Sequence, residues 1–505
     1  MMNVSADLVI IGAGAAGCVL AARLSEARQR SVLLLEAGPD YREPSLLPPE
    51  IRAGLNPTPS HDWGYASEPG AGVPSIPLWR GRLVGGCSAT NGMFALRGHP
   101  ADYDEWAARG NAGWSFDELL PFFCRSENDL DYTDPWHGRE GPLPVRRYPR
   151  AELGPGAAAF LDACAAMGFE QVPDHNAPGV VGAGPTPVNQ LGGVRQSAAL
   201  TYLAAARARA NLTVRGDRAV DRVLLEGRRA VGVRLADGET IAAGHVVLAG
   251  GAFGSPAILL RSGVGPGAEL RDLGIPVHAD LPGVGRDLAD HPRLGLRYAV
   301  PMNAVVDDLQ GCQAVLTMRS SASVAGLDLH VFPWAAVRVD PAESPTGARM
   351  VLHAALMKPH SRGSVRLRSA DPAAAPIIDP GWFTDPADMP RMRLAVRTAR
   401  RLAATAPLAG IAIEELFPGR AIDDDGELDA AIRSGLGTYF HPVGSCRMGS
   451  ASDPDAVVDA RGAVHGIERL SIADASIMPA IPAANTHLPT IAVAERCAAW
   501  LAEAI

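Results

Sequence analysis

The sequence predicts an α/β protein made of a dinucleotide-binding unit and a second unit built on an antiparallel sheet. Three observations predict it. A strand, glycine turn, helix, strand and acid follow one another between Asp7 and Glu36. Apolar strands running to a glycine pair or an acid recur at His245–Gly251 (HVVLAGG) and Gly466–Asp474 (GIERLSIAD). Alternating stretches, AVLTMRS from Ala314 and DLHVFPWAAVRV from Asp328, read as antiparallel strands. At 505 residues the chain exceeds what one hydrophobic core holds.

The first element is Asp7–Ile11 (DLVII), a β-branched apolar run suited to a buried parallel strand. Gly12-Ala13-Gly14-Ala15-Ala16-Gly17 follows at once, then Cys18–Ser25 as a helix and Ser31–Leu35 as a second strand ending at Glu36. This is a Rossmann-like dinucleotide fingerprint. Gly12 permits the tight turn, Gly14 lets backbone approach a pyrophosphate, and Gly17 lets helix pack on strand. The helix N-terminus offers free N–H groups and positive dipole to the phosphates. Glu36, nineteen residues after Gly17, is placed to accept ribose hydroxyls and disfavours NADP. The strand at Gly466–Asp474 favours FAD over NAD, because such a segment returns the chain to the flavin in two-dinucleotide-fold flavoproteins.

Three further segments carry a resemblance. They are GRLVGGCSATN from Gly81 with its continuation to Gly98, GAFGSPAILLRSGVG from Gly251, and a C-terminal block of HPVGSCRMG (His441–Gly449) and IADASIMPAIPAANTHLPTIAVAE, ending at Glu495. DYDEWAARGNAGWSFDELLPFF (Asp102–Phe123) and the SGVG…LADH stretch add to it. Together with the N-terminal fingerprint, these resemble the glucose–methanol–choline (GMC) oxidoreductase family from one end of the chain to the other. The resemblance implies an FAD-binding Rossmann-like domain and an antiparallel-sheet substrate domain. The expected FAD domain is 1–150, 195–300 and 452–505, with the substrate domain in 151–194 and 301–451.

Gly85-Gly86-Cys87-Ser88 offers small side chains and backbone donors for phosphate or flavin, and Asn91 can bond the flavin edge. The resemblance adds Ala15, Arg82, Gly92, Met93, Asp474, Ala475, Thr486 and Pro489 as cofactor contacts, and Val220 at the adenine end. Cys87 and Thr90 depart from the family pattern. Thr90-Asn91 stands where some members carry a flavin-linked histidine, and His99 is a poor substitute, so non-covalent FAD is expected. Ser255-Pro256 reads as a helix start, Ser capping and Pro at the first position.

Alcohol oxidation removes a hydroxyl proton and a hydride, and the proton needs a base. The resemblance assigns that base to His441. It assigns the second oxygen-binding group to Asn485, 44 residues on. His487 is the rival, because an extended segment would put it on the same side as Asn485. Pro489-Thr490 opens an apolar helix whose N-terminus would stabilise the reduced flavin. The pattern most resembles members acting on primary alcohols, aromatic and furan alcohols included; choline fits less, for want of a visible cation cage. A lyase or photodecarboxylase on the same fold, or a catalytically silent flavin binder, is the alternative. Dioxygen or another acceptor would reoxidise the flavin.

Composition narrows the field. A net charge of −9 argues against nucleic acid and against anionic lipid. Lys358 is the only lysine, so Schiff-base chemistry requires that one residue. Seven cysteines without C-x-x-C argue against a disulfide scaffold or zinc site and for a reducing cytoplasm. No metal is expected, since no H-x-x-x-H or H-E-x-x-H occurs. No G-x-S-x-G follows a strand, which disfavours a serine hydrolase. No apolar run spans a bilayer.

Overall fold

The computed structural model describes residues 4–505, so the first three residues of the 1–150 segment lie outside it. Two large sheets organise the chain. The first runs Leu212–Arg215, Val32–Leu35, Val4–Ile11, Thr240–Leu248, Arg229–Leu235, Val220–Glu226, with Leu470–Ile472 also paired to Thr240–Leu248. Its centre is parallel, and Arg229–Leu235 and Val220–Glu226 add an antiparallel edge. The continuous apolar runs of the sequence are its middle strands, because a strand covered on both faces has no polar side to show: Leu8, Val9, Ile10 and Val32–Leu35 are all buried. The helix Ala15–Leu24 packs against the C-terminal helix His487–Ala504, and Arg23 Nη2 pairs with buried Glu495 at 2.8 Å.

The second sheet is antiparallel throughout. Its order is Glu414–Phe417, Pro292–Ala299, Ala348–Leu356, Leu329–Arg338, Ala314–Met318, Ala183–Pro185, with Leu436–Thr438 also on Pro292–Ala299. Pro292–Ala299 thus joins this sheet from within the stretch assigned by sequence to the first unit. Alternation sorts the faces. Leu294, Leu296, Met350, Leu352 and Ala354 join the core under helices Pro155–Ala166 and Asp388–Ala403. Arg293, Val351, His353 and Trp334 face a cavity between the sheets.

Two local readings are corrected. The glycine-rich segment at 251 forms one helix, Gly251–Arg261, with Pro256 inside it, so Ser255 is no N-cap. Pro256 cannot donate to the Ala252 carbonyl, and Ser445 Oγ donates there instead at 2.6 Å. The C-terminal helix begins at His487, with Thr486 as its cap, two residues before the expected start at Pro489. Asn485 and His487 therefore do not share an extended segment.

Candidate active site

The cavity has a volume of about 990 Å³, within the range of small-molecule and cofactor sites. The glycine turn forms one end. Gly12 sits at φ +95°, and a Cβ there would lie 2.6 Å from the Ala249 carbonyl oxygen. A Cβ on Gly17 would meet the Gly12 oxygen at 1.8 Å, so Gly17 serves helix–strand packing and does not line the cavity. Gly14 opens onto free space, and Gly86 packs against it. Gly12, Gly14, Ala15, Glu36, Arg82, Gly86, Ser88, Asn91, Gly92, Met93, Val220, Asp474, Ala475, Asn485 and Thr486 all line this one cavity. Gly85 and Pro489 do not: Gly85 donates to the Ala13 carbonyl at 2.7 Å, and Pro489 lies within the first turn of the C-terminal helix.

Several polar groups here are committed to the scaffold. Glu36 accepts from Ala13 N at 2.8 Å and Gly38 N at 3.0 Å, so it ties the glycine turn as well as facing the cavity. Burial pushes its carboxyl up to about 7, against the pull of those N–H groups. Asp474 accepts from Gly251 N, Ser255 Oγ and Ser476 N, and burial raises its pKa. Ser88 Oγ donates to Gly85 O and accepts from Ala198 N. A cradle open at Gly14, a helix N-terminus with free N–H groups and a buried acid at the second strand end fit an FAD adenosine and pyrophosphate.

At the other end His441 and Asn485 meet. Asn485 Nδ2 lies 3.2 Å from His441 Nε2, and Asn485 Oδ1 is buried without a partner. His441 Nδ1 lies 3.0 Å from His291 Nδ1. His487 lines the cavity with its Nε2 unpaired and makes no bond to His441 among the described residues; burial lowers its pKa to about 4. Burial, then His291, Arg80, His330 and Arg293, hold His441 well below the usual histidine range.

Sequence reasoning missed what aims His441. Asp290 accepts from Thr438 Oγ1 at 2.6 Å, from His441 N at 2.8 Å and from His291 N at 2.8 Å. Ala289 and Val443 exchange backbone bonds, clamping the LADHP and HPVG segments together. Phe440 sits at φ +65°, a conformation that costs a bulky residue about 1–3 kcal/mol and turns the next side chain inward. Its ring stacks on Trp79 at 5.3 Å. The signal was the Asp290-His291 pair inside LADH, quoted for resemblance but given no role.

Other expectations find their places. His99 caps the helix Pro100–Ala108 and does not line the cavity. Lys358 Nζ bonds Glu105 at 2.9 Å and lies away from the cavity lining. Glu127, Asp129 and His137 cluster closely enough to suggest a metal, but Arg97 and Arg147 already pair with the two carboxylates at 2.5 Å each. No described helix is long and apolar enough to cross a membrane.

The comparisons bear on the same regions. The N- and C-terminal GMC oxidoreductase family models match residues 6–293 and 359–494. An oxygen-dependent choline dehydrogenase of Photobacterium profundum is 35% identical over 98% of this chain and 93% of its own length. A 5-(hydroxymethyl)furfural oxidase of Methylovorus sp. is 37% identical over 97% of this chain and 98% of its own. A solved pyridoxine 4-oxidase from Mesorbium loti superposes with TM-score 0.90 at 35% identity, covering 98% of this chain and 99% of that one. With family models spanning most of its length and such relatives end to end, the chain belongs to the GMC oxidoreductase family and is an FAD-dependent oxidoreductase acting on CH–OH groups.

Proposed function

We propose that this enzyme oxidises planar primary alcohols, aromatic or furan, to aldehydes, with His441 as base and Asn485 as the second oxygen-binding group. One observation carries the reading: His441 Nε2 and Asn485 Nδ2 stand 3.2 Å apart at the aromatic end of the cavity. One hydroxyl oxygen can bridge them, accepting from the amide while its proton passes to the imidazole. The low pKa of His441 keeps it neutral and able to accept. FAD, when bound, supplies the hydride acceptor. The N-terminus of the helix His487–Ala504, with Thr486, His487 and Thr490 at the cavity wall, favours negative charge on the reduced cofactor.

Phe94, Trp334 and Tyr439 shape the substrate end, which supports a planar ring. Arg293 stands in the same wall, and a cation there opposes a quaternary ammonium, which argues against choline despite the 35% identical relative named for it. The cavity-lining histidines are His353, His441 and His487, so none belongs to the 87–93 segment; this supports non-covalent FAD. Relatives named as oxidases and as oxygen-dependent support dioxygen as acceptor. Seven free cysteines support a cytoplasmic setting. The sheets support a division into an FAD unit and a substrate unit, with Pro292–Ala299 in the latter.

An alcohol panel under anaerobic conditions tests the proposal. Benzyl and furfuryl alcohols should bleach the flavin, and choline should not. Bleaching by choline alone would overturn it.

A further inference from the structure

Arg293 is a cation in the substrate wall with no described carboxylate in salt-bridge contact with it. It sits on the strand Pro292–Ala299, on the face that alternation turns toward the cavity. Its Nη1 lies 3.1 Å from His353 Nδ1, and the His353 imidazole is held neutral by burial and by Arg293 itself. No described residue accepts from its Nε or Nη2. The carboxylate whose field reaches it, Asp290, is occupied by Thr438 Oγ1 and by the His291 and His441 amides. An arginine in such a place is costly unless something anionic arrives.

Geometry says where the anion would sit. The guanidinium carbon lies 5.9 Å from the centre of the Tyr439 ring, and that ring is 4.5 Å from the His441 ring. The Tyr439 ring thus neighbours both the cation and the base. Phe94 and Trp334 flank the same space, their rings 6.4 Å apart and roughly parallel.

We propose that Arg293 is a specificity residue whose free N–H groups bind a carboxylate on the substrate, so that the preferred substrate is a hydroxymethyl-substituted aromatic or furan carboxylate. This rests on the aryl-alcohol reading above and deepens it. The planar fork of an arginine matches a carboxylate with two parallel hydrogen bonds. Lying along the Tyr439 ring in the shared cavity, the substrate ring would reach from Arg293 toward His441, bringing the hydroxymethyl group to Nε2.

The test compares 4-(hydroxymethyl)benzoate with its primary amide on the holoenzyme, together with binding of benzoate followed by the flavin absorbance change. Wild type should prefer the carboxylate by roughly 10- to 100-fold in kcat/KM, carried mainly by KM, the size expected for charge-assisted hydrogen bonds. In Arg293→Gln the preference should collapse toward unity and benzoate binding should weaken by a similar factor; Arg293→Lys should restore part of both. Equal use of the two alcohols by wild type would overturn the proposal. So would an Arg293→Gln variant that loses both substrates alike, which is the mark of a structural role or of a charge serving the flavin. If neither alcohol bleaches the flavin while benzoate binds in an Arg293-dependent way, the anion site stands and the alcohol reading falls.

Discussion

His441 and His291 face each other Nδ1 to Nδ1 at 3.0 Å. Only one of the two nitrogens can carry the shared proton. Asn485 donates toward His441 Nε2, so that nitrogen presents its lone pair and the proton sits on His441 Nδ1, donated to His291. His291 thus fixes the tautomer in which His441 can act as base. His291→Phe removes the acceptor and should slow flavin reduction roughly tenfold or more, as loss of tautomer control does elsewhere. His291→Asn keeps an acceptor and should recover part of the rate. Stopped-flow reduction by alcohol measures both, and a wild-type rate in His291→Phe would remove this residue from the account.

The acid limb of the pH profile should lie below the ordinary histidine value. Burial comes first, followed by His291, Arg80, His330 and Arg293, in lowering the His441 pKa; Asp290 is the buried carboxylate nearby, and it bonds the His441 backbone. A general base works unprotonated, so activity disappears only as pH falls through that lowered pKa. Arg80→Met takes away one repelling cation and should move the limb to higher pH. A limb at or above 6.5 in the wild type would contradict the electrostatics.

Glu36 gives cofactor binding a pH dependence. Burial raises its pKa to about 7 in the protein without ligand, and ribose hydroxyls donating to the carboxylate would lower it. Binding then releases a proton, so FAD affinity should rise with pH up to about 7 and level off above it. Glu36→Gln should bind FAD more weakly and lose that slope. Calorimetry in buffers of different ionisation enthalpy reads the released proton directly, and an identical slope in the Gln variant would assign it to another group.

Acid or heat should release all the FAD, because Thr90 and Asn91 stand in the cavity wall at the place where the resemblance puts the flavin-linked histidine of some members. Flavin remaining on the denatured chain would refute this.

How much of this was legible in the sequence follows from the range of each interaction. The packing of the glycine turn was legible because its constraints are local or one strand away: Gly17 must clear the Gly12 oxygen. The Asp290 and His291 roles were hidden because their partners lie about 150 residues on, joined only when Ala289 pairs with Val443. Ser255-Pro256 misled because the local cap rule ignores Ser445, which arrives from elsewhere to satisfy the carbonyl that Pro256 frees. Arg293 carried no signal at all. Its meaning comes from the alternation of one strand and from the absence of a nearby free carboxylate.

The central claim is that His441 takes the alcohol proton with Asn485 holding the oxygen. Anaerobic stopped-flow bleaching of His441→Ala, Asn485→Ala and His487→Ala, all retaining FAD, tests it most directly. The account predicts a loss of about 10²–10⁴-fold for His441→Ala, the cost of removing a positioned base. It predicts a clear loss for Asn485→Ala and a smaller one for His487→Ala, whose ring makes no bond to His441. A wild-type rate in His441→Ala, or a crippled His487→Ala beside an active Asn485→Ala, would contradict it.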